Sequence, residues 1–160
     1  MGGGIAALLA LVGGGVALVR PGLDKGQLTP PAEEIFRAIA AAVLDGSLAV
    51  PPSAREAQLR SHLRRVDEAI AAFPAATQAE LSQLLALLAS APGRAFLAGL
   101  HTPWAAATPR EIQACLQAMR TSSVKVRQQI YHALRDLTNA AFYADPPAWP
   151  LMGYPGPVAV

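Results

Sequence analysis

Residues 53–73 read SAREAQLRSHLRRVDEAIAAF. Within them Leu59, Leu63, Val66, Ile70 and Phe73 recur at alternating steps of four and three. An α-helix turns once in ~3.6 residues, so these five side chains share one stripe and must be buried against something. Arg55, Arg60, Arg64 and Arg65 fall mostly off the stripe and, diluted by Glu56, Asp67 and Glu68, read as a solvated face. Ser53 and Glu56 have capping-box spacing at the start, and Pro74 closes the segment.

The same period continues in both directions. Upstream, Thr29, Pro30-Pro31 and Glu33-Glu34 are the cap, first turn and dipole-matched acids of a helix carrying Ile35, Phe36, Ile39, Val43 and Leu44 and stopped by Gly46. Downstream, Thr77 and Glu80 suggest a second capping box before Leu81, Leu84, Leu85 and Leu88. After Pro92-Gly93, a short helix over Arg94–Leu100 ends at Gly99, and His101-Thr102-Pro103-Trp104 forms a loop. Thr108, Pro109 and Glu111 open a helix whose apolar face is Ile112, Cys115, Leu116 and Met119. Ser122 or Ser123 opens the last helix, with Val126, Ile130, Leu134, Leu137 and Ala141 inward and Asp145-Pro146-Pro147 as its stop. Aromatic residues are only 6% of the chain and few segments alternate with period two, which argues against an all-β fold. The expected fold is therefore all-α. It comprises an apolar amino-terminal helix at 1–19, a linker at 20–28, a compact bundle of about five helices at 29–144, and an extended, proline-rich strap at 145–160.

Thirteen basic residues against eleven acidic ones leave a net charge of +2, too small an excess to mark a nucleic-acid binder. Cys115 is the lone cysteine, so no internal disulfide can form, and its place on an apolar helix face makes it a core residue. Gly2 to Val19 contains no charged or strongly polar side chain. At roughly eighteen residues it meets the lower limit for crossing a bilayer. Six glycines would each cost about 1 kcal/mol in a soluble helix but are better tolerated among helices in lipid. A basic region before the run and an A-x-A cleavage site are both missing. A membrane anchor is thus preferred over a cleaved export signal, with an upstream start as a third reading.

Residues 145–160, DPPAWPLMGYPGPVAV, hold five prolines, Trp149 and Tyr154. So much proline is expected to exclude a helix or a central strand, and the aromatics are unusual for a solvated tail. The expectation is a strap anchored through Trp149, Met152 and Tyr154, either on this chain's own bundle or on a partner.

From Leu134 to Pro157 the chain resembles the end of the gluconate dehydrogenase subunit 3 family. The matching features are a helix running into Phe142-Tyr143-Ala144-Asp145-Pro146, then Trp149, then Gly153-Tyr154-Pro155-Gly156. Gly93–Leu100 followed by Pro103-Trp104 looks similar to small periplasmic proteins of the same kind. The resemblance implies a small, non-catalytic helical subunit that supports folding, export or membrane attachment of a flavin-dependent, glucose-methanol-choline-type dehydrogenase in the bacterial periplasm. It implies no cofactor in this chain, FAD in the partner, and a cytochrome as a further potential subunit. Family members typically carry a twin-arginine leader, which residues 1–19 lack. The residues expected at the partner interface are Trp149, Met152, Tyr154, Pro155, Trp104 and Tyr143.

Catalytic signatures are sparse. His62, His101 and His132 lie in separate segments without ligand spacing, and no nucleophile elbow, phosphate loop or dinucleotide fingerprint occurs. Two alternatives stand beside the accessory subunit. One is a membrane-anchored helical protein that binds a small apolar ligand. The other is an enzyme whose site is assembled from His101, Trp104 and Tyr143.

Overall fold

A computed structural model describes residues 20–48 and 51–156, with Met152 described in its backbone only. The apolar run at 1–19 lies outside the described residues, as do Ala49, Val50 and 157–160. The fold is mostly α-helical, as the periodicity predicts. Five long helices, α1 (Pro30–Val43), α2 (Pro52–Ala71), α3 (Ala75–Ala89), α5 (Pro109–Arg120) and α6 (Lys125–Tyr143), enclose one main core. Between α3 and α5 lie the short α4 (Ala91–Gly93), a π-helical turn (Arg94–Ala98) and a 3-10 turn (Trp104–Ala106).

The central element is α1. Its Ile35, Phe36 and Ile39 are fully buried, and it packs against α2, α3, α5 and α6. Its far end, with Ala40 and Leu44, turns toward a second, smaller cluster formed with Leu48, Leu59, Phe142 and Ala148. Helix α1 therefore joins the main core to the site where the carboxyl terminus docks. Arg37 on α1 donates to both carboxylate oxygens of Glu56 on α2, at 2.8 and 2.9 Å. This pair ties the two helices, although its half-exposed setting limits its worth.

The expected linker at 20–28 is instead a small antiparallel hairpin, β1 (Leu23–Asp24) and β2 (Gln27–Leu28), in the register Leu23↔Leu28 and Asp24↔Gln27. Lys25 and Gly26 both have positive φ, the requirement of a two-residue type I′ turn. Both leucines point into the core. Gly22 lies so close to α3 that a Cβ there would fall 2.4 Å from Leu85 Cβ, and its N–H donates to the Ser82 carbonyl. The Leu28 N–H donates to Asp67 Oδ1 at 2.7 Å. Burial pushes the Asp67 carboxyl upward, and that hydrogen bond works against the shift. Hairpin formation lets two leucines be buried while their backbone groups find partners on α2 and α3.

Several helix starts differ from expectation. Helices α2 and α3 begin directly after Pro51 and Pro74, so Ser53 and Thr77 are already inside the helices and cap nothing. Thr29 does precede α1, yet its hydroxyl donates backward to the Pro21 and Gly22 carbonyls. Helix α6 starts at Lys125, one residue after Val124, whose N–H donates to Ser122 Oγ. The capping box at α5 forms as expected: Thr108 Oγ1 accepts from the Glu111 N–H, and Glu111 Oε2 accepts from the Thr108 N–H. These bonds, the backbone one foremost, hold the Glu111 carboxyl below its ordinary range. Thr108→Ala should cost about 1 kcal/mol in a urea melt at neutral pH.

Among the described residues, no single helix is long and apolar enough to cross a bilayer. Helix α3 and the following Ala91–Ala98 segment have the composition together but bend by 91° at their break, and α3 buries Leu85 and Leu88 in the core.

Candidate functional site: a carboxyl-terminal aromatic clip

The expected extended, helix-free strap is not what forms: Pro146–Met152 is a 3-10 helix, and proline explains why. A 3-10 turn bonds residue i to i+3, and prolines in its first positions sacrifice N–H groups that would have no partner anyway. Pro150, inside the turn, still offers its carbonyl to the Gly153 N–H at 3.0 Å. Gly153 then takes φ of 71°, and the Tyr154 N–H reaches back to the Trp149 carbonyl at 3.1 Å. The pair of bonds is a Schellman-type closure that reverses the chain onto itself.

That reversal brings the aromatics together. The Trp149 and Tyr154 ring centroids are 5.4 Å apart, and Trp149 Nε1 donates to the Tyr143 carbonyl at 2.9 Å. Gly156 has φ of 101°, and a Cβ there would lie 3.5 Å from Trp149 Cζ3. The tryptophan is therefore gripped from three sides. Gly153 and Gly156 supply backbone conformations that side chains with a Cβ resist. Tyr143 packs edge-on against the buried Phe142, with centroids 5.2 Å apart.

An ion pair fastens this clip to the bundle. Arg65 donates through Nε to the Ala141 carbonyl at 2.8 Å and through Nη1 to Ser61 Oγ, and it pairs with Asp145 Oδ2 at 2.9 Å. Only 12% of its side chain is exposed, so Arg65 belongs to the clip and not to a solvated face. Asp145 sits at the junction of α6 and the 3-10 turn, where it fixes the direction in which the clip leaves the helix. Arg65→Met should cost about 2 kcal/mol, since it strands a carbonyl and a carboxylate that had charge-assisted partners. Differential scanning calorimetry against the parent chain checks this.

No protein-family model, curated protein or solved structure matches the chain.

The other expected interface residues divide. Tyr154 is 45% exposed and the neighbouring Leu151 59% exposed, while Pro155 is also exposed. These present an outer apolar surface. Trp149 and Tyr143 are half-buried and support it from below. The Met152 side chain falls outside the description. Trp104 does not belong here: it is 3% exposed in the main core, and its Nε1 donates to the Leu88 carbonyl at 2.8 Å. Its ring fills this chain's own interior and is not offered to a partner.

His101, Trp104 and Tyr143 are not assembled into one site. His101 is exposed and borders a cavity of about 330 Å³ between the π-helical turn and α5. Trp104 is in the main core, and Tyr143 packs against the second cluster. A groove of about 360 Å³ runs between α6 and the α2–α3 junction, lined by Phe73, Thr77, Leu81, His132, Asp136 and Leu137 among others. Among the described residues, no group of three His, Cys, Asp or Glu side chains is placed to hold a metal ion. Cys115 is buried, and burial pushes its thiol up to about 11, with Arg127 acting in the opposite direction.

Sequence reasoning missed His62. The ring is fully buried, neither nitrogen has a hydrogen-bond partner among the described residues, and burial, aided by Arg65, lowers its pKa to about 4. Its position was legible: it is three residues after Leu59 and four before Val66, on the buried stripe itself.

Proposed function

We propose that the chain is a non-catalytic small subunit that assembles with a flavin-dependent dehydrogenase through the outer face of the carboxyl-terminal clip. The observation that carries this reading is the contrast within the clip. Trp149, Arg65 and two positive-φ glycines hold the segment in one conformation, while Tyr154 and Leu151 face outward. A preorganised aromatic and an aliphatic side chain lose little freedom on docking, and such groups supply interface hot spots. The clip coincides with the residues that resemble the dehydrogenase subunit family, which supplies the partner's class. On this reading FAD resides in the partner, with or without a further cytochrome subunit. Residues 1–19 hold the assembly at the periplasmic face of the bacterial inner membrane.

The separation of His101, Trp104 and Tyr143 favours this reading over an enzyme built from those three. The groove beside Phe73 and Leu81 favours a second reading, a receptor for a small apolar ligand. Affinity purification of the full chain from native membranes in mild detergent tests the first. Recovery of a stoichiometric polypeptide with flavin absorbance is expected. Recovery of the chain with no flavoprotein would overturn it.

A further inference from the structure

Phe96 is 80% exposed, the most exposed large apolar side chain described. It projects from the π-helical turn Arg94–Ala98, which is closed at Gly99 in a left-handed conformation. The turn is not a loose loop. Arg127, in the first turn of α6, donates from Nε to the Leu97 carbonyl at 3.0 Å, and Leu97 and Ala98 are buried. The Arg127 N–H in turn bonds to the carbonyl of Val124, which is 51% exposed. Phe96 and Val124 thus emerge at the same end of the molecule, on two segments bound to each other.

Two exposed cations accompany them, Arg120 at the end of α5 and Lys125 at the start of α6. Glu111 is engaged by Thr102 and Thr108 at the start of α5, whereas Arg120 and Lys125 stand exposed on either side of the connection that carries Val124. The amino-terminal path converges here too. The described chain begins at exposed Arg20, and Arg20–Gly22 lie beside Ala86, Ala89 and Ser90 at the end of α3, immediately before α4 and the π-helical turn. Arg20 therefore lies near the segment that leads into Phe96. The aromatic clip leaves from the other end of α6, a helix of 19 residues and about 28 Å.

We propose that this end rests on an anionic bilayer surface, with Phe96 and Val124 entering the interfacial layer and Arg120 and Lys125 meeting lipid phosphates. Exposed apolar side chains beside cations are the composition that binds such surfaces, because hydrophobic insertion and electrostatic attraction act on the same face. The inference is independent of the clip and its partner. It implies an orientation in which the bundle stands on the membrane and lifts the clip away from it.

The lone native cysteine is buried and its thiol stays protonated at labelling pH, so a second cysteine can be labelled selectively. The test uses the full chain with Phe96→Cys carrying a polarity-sensitive dye, and vesicles of phosphatidylcholine with or without phosphatidylglycerol. Asp45→Cys is the control: Asp45 is exposed and follows Leu44 of the cluster at the clip end. The dye at 96 should shift to the blue and brighten on phosphatidylglycerol vesicles, and the dye at 45 should not. Arg120→Gln and Lys125→Gln should each lower the preference for anionic over neutral vesicles about fivefold. A silent dye at 96, an equal response at 45, or an anionic preference unchanged in the double glutamine variant would overturn the proposal. A soluble acidic protein that shifts the dye at 96 where vesicles do not would overturn it as well.

Discussion

His62→Leu should remove His62's share of the stability lost between pH 7 and pH 4. In the native state the imidazole is fully buried and titrates at about 4, against an ordinary value of 6.5. At pH 7 both folded and unfolded chains carry it neutral, so its contribution is constant. As pH falls below 6.5 the unfolded chain takes up a proton that the native chain refuses, and stability declines until the native ring also protonates near 4. The interval corresponds to about 3 kcal/mol. Leucine has a similar bulk and no titratable group. It also relieves the cost of two ring nitrogens that lack partners among the described residues, so stability at pH 7 should hold or rise. Urea midpoints for both chains at pH 7 and pH 4 measure this. A parent chain as stable at pH 4 as at pH 7 would contradict the burial that lowers the pKa.

The second large effect concerns assembly. Tyr154→Ala should weaken binding to the proposed dehydrogenase partner by about 2 kcal/mol or more, roughly thirtyfold, as expected of an interface anchor. Tyr154 is 45% exposed and lies outside the core, so the melting temperature of the isolated chain should move little. Trp149→Ala should lower both quantities. It deletes the bond to Tyr143 and the surface on which Gly156 and Tyr154 rest, so the clip loses its seat as well as its outer face. The two variants together separate presentation from contact. Unchanged binding by Tyr154→Ala alongside a collapsed melting temperature for Trp149→Ala would show that the clip only staples its own fold.

The helices were legible because apolar side chains at steps of three and four can be buried together in no other regular conformation. The exact starts were less so. Ser53–Glu56 and Thr77–Glu80 have capping-box spacing, yet each is preceded by a proline that preorganises the first turn and makes the cap redundant. The hairpin at 23–28 was obscured by its shortness: two pairs of residues give no periodicity, and only Lys25-Gly26 between two leucines signalled a turn. At the clip, the aromatics and glycines were visible as a motif, but their arrangement was not. Proline content excludes an α-helix without excluding a 3-10 turn. Nothing local in RSHLRRVDE distinguishes Arg65, which pairs across 80 residues with Asp145, from the exposed Arg60 and Arg64. Long-range pairing of this kind is set by the antiparallel packing of α2 on α6 and cannot be read from either segment alone.

A photocrosslinker placed at residue 154 of the full chain in its native host tests the clip as the docking surface most directly. One dominant adduct is expected, containing the polypeptide of a flavin-dependent dehydrogenase, and none when the crosslinker replaces Asp136 on the exposed side of α6. An adduct at 154 only within this chain, or a dehydrogenase adduct formed from 136 and not from 154, would contradict it.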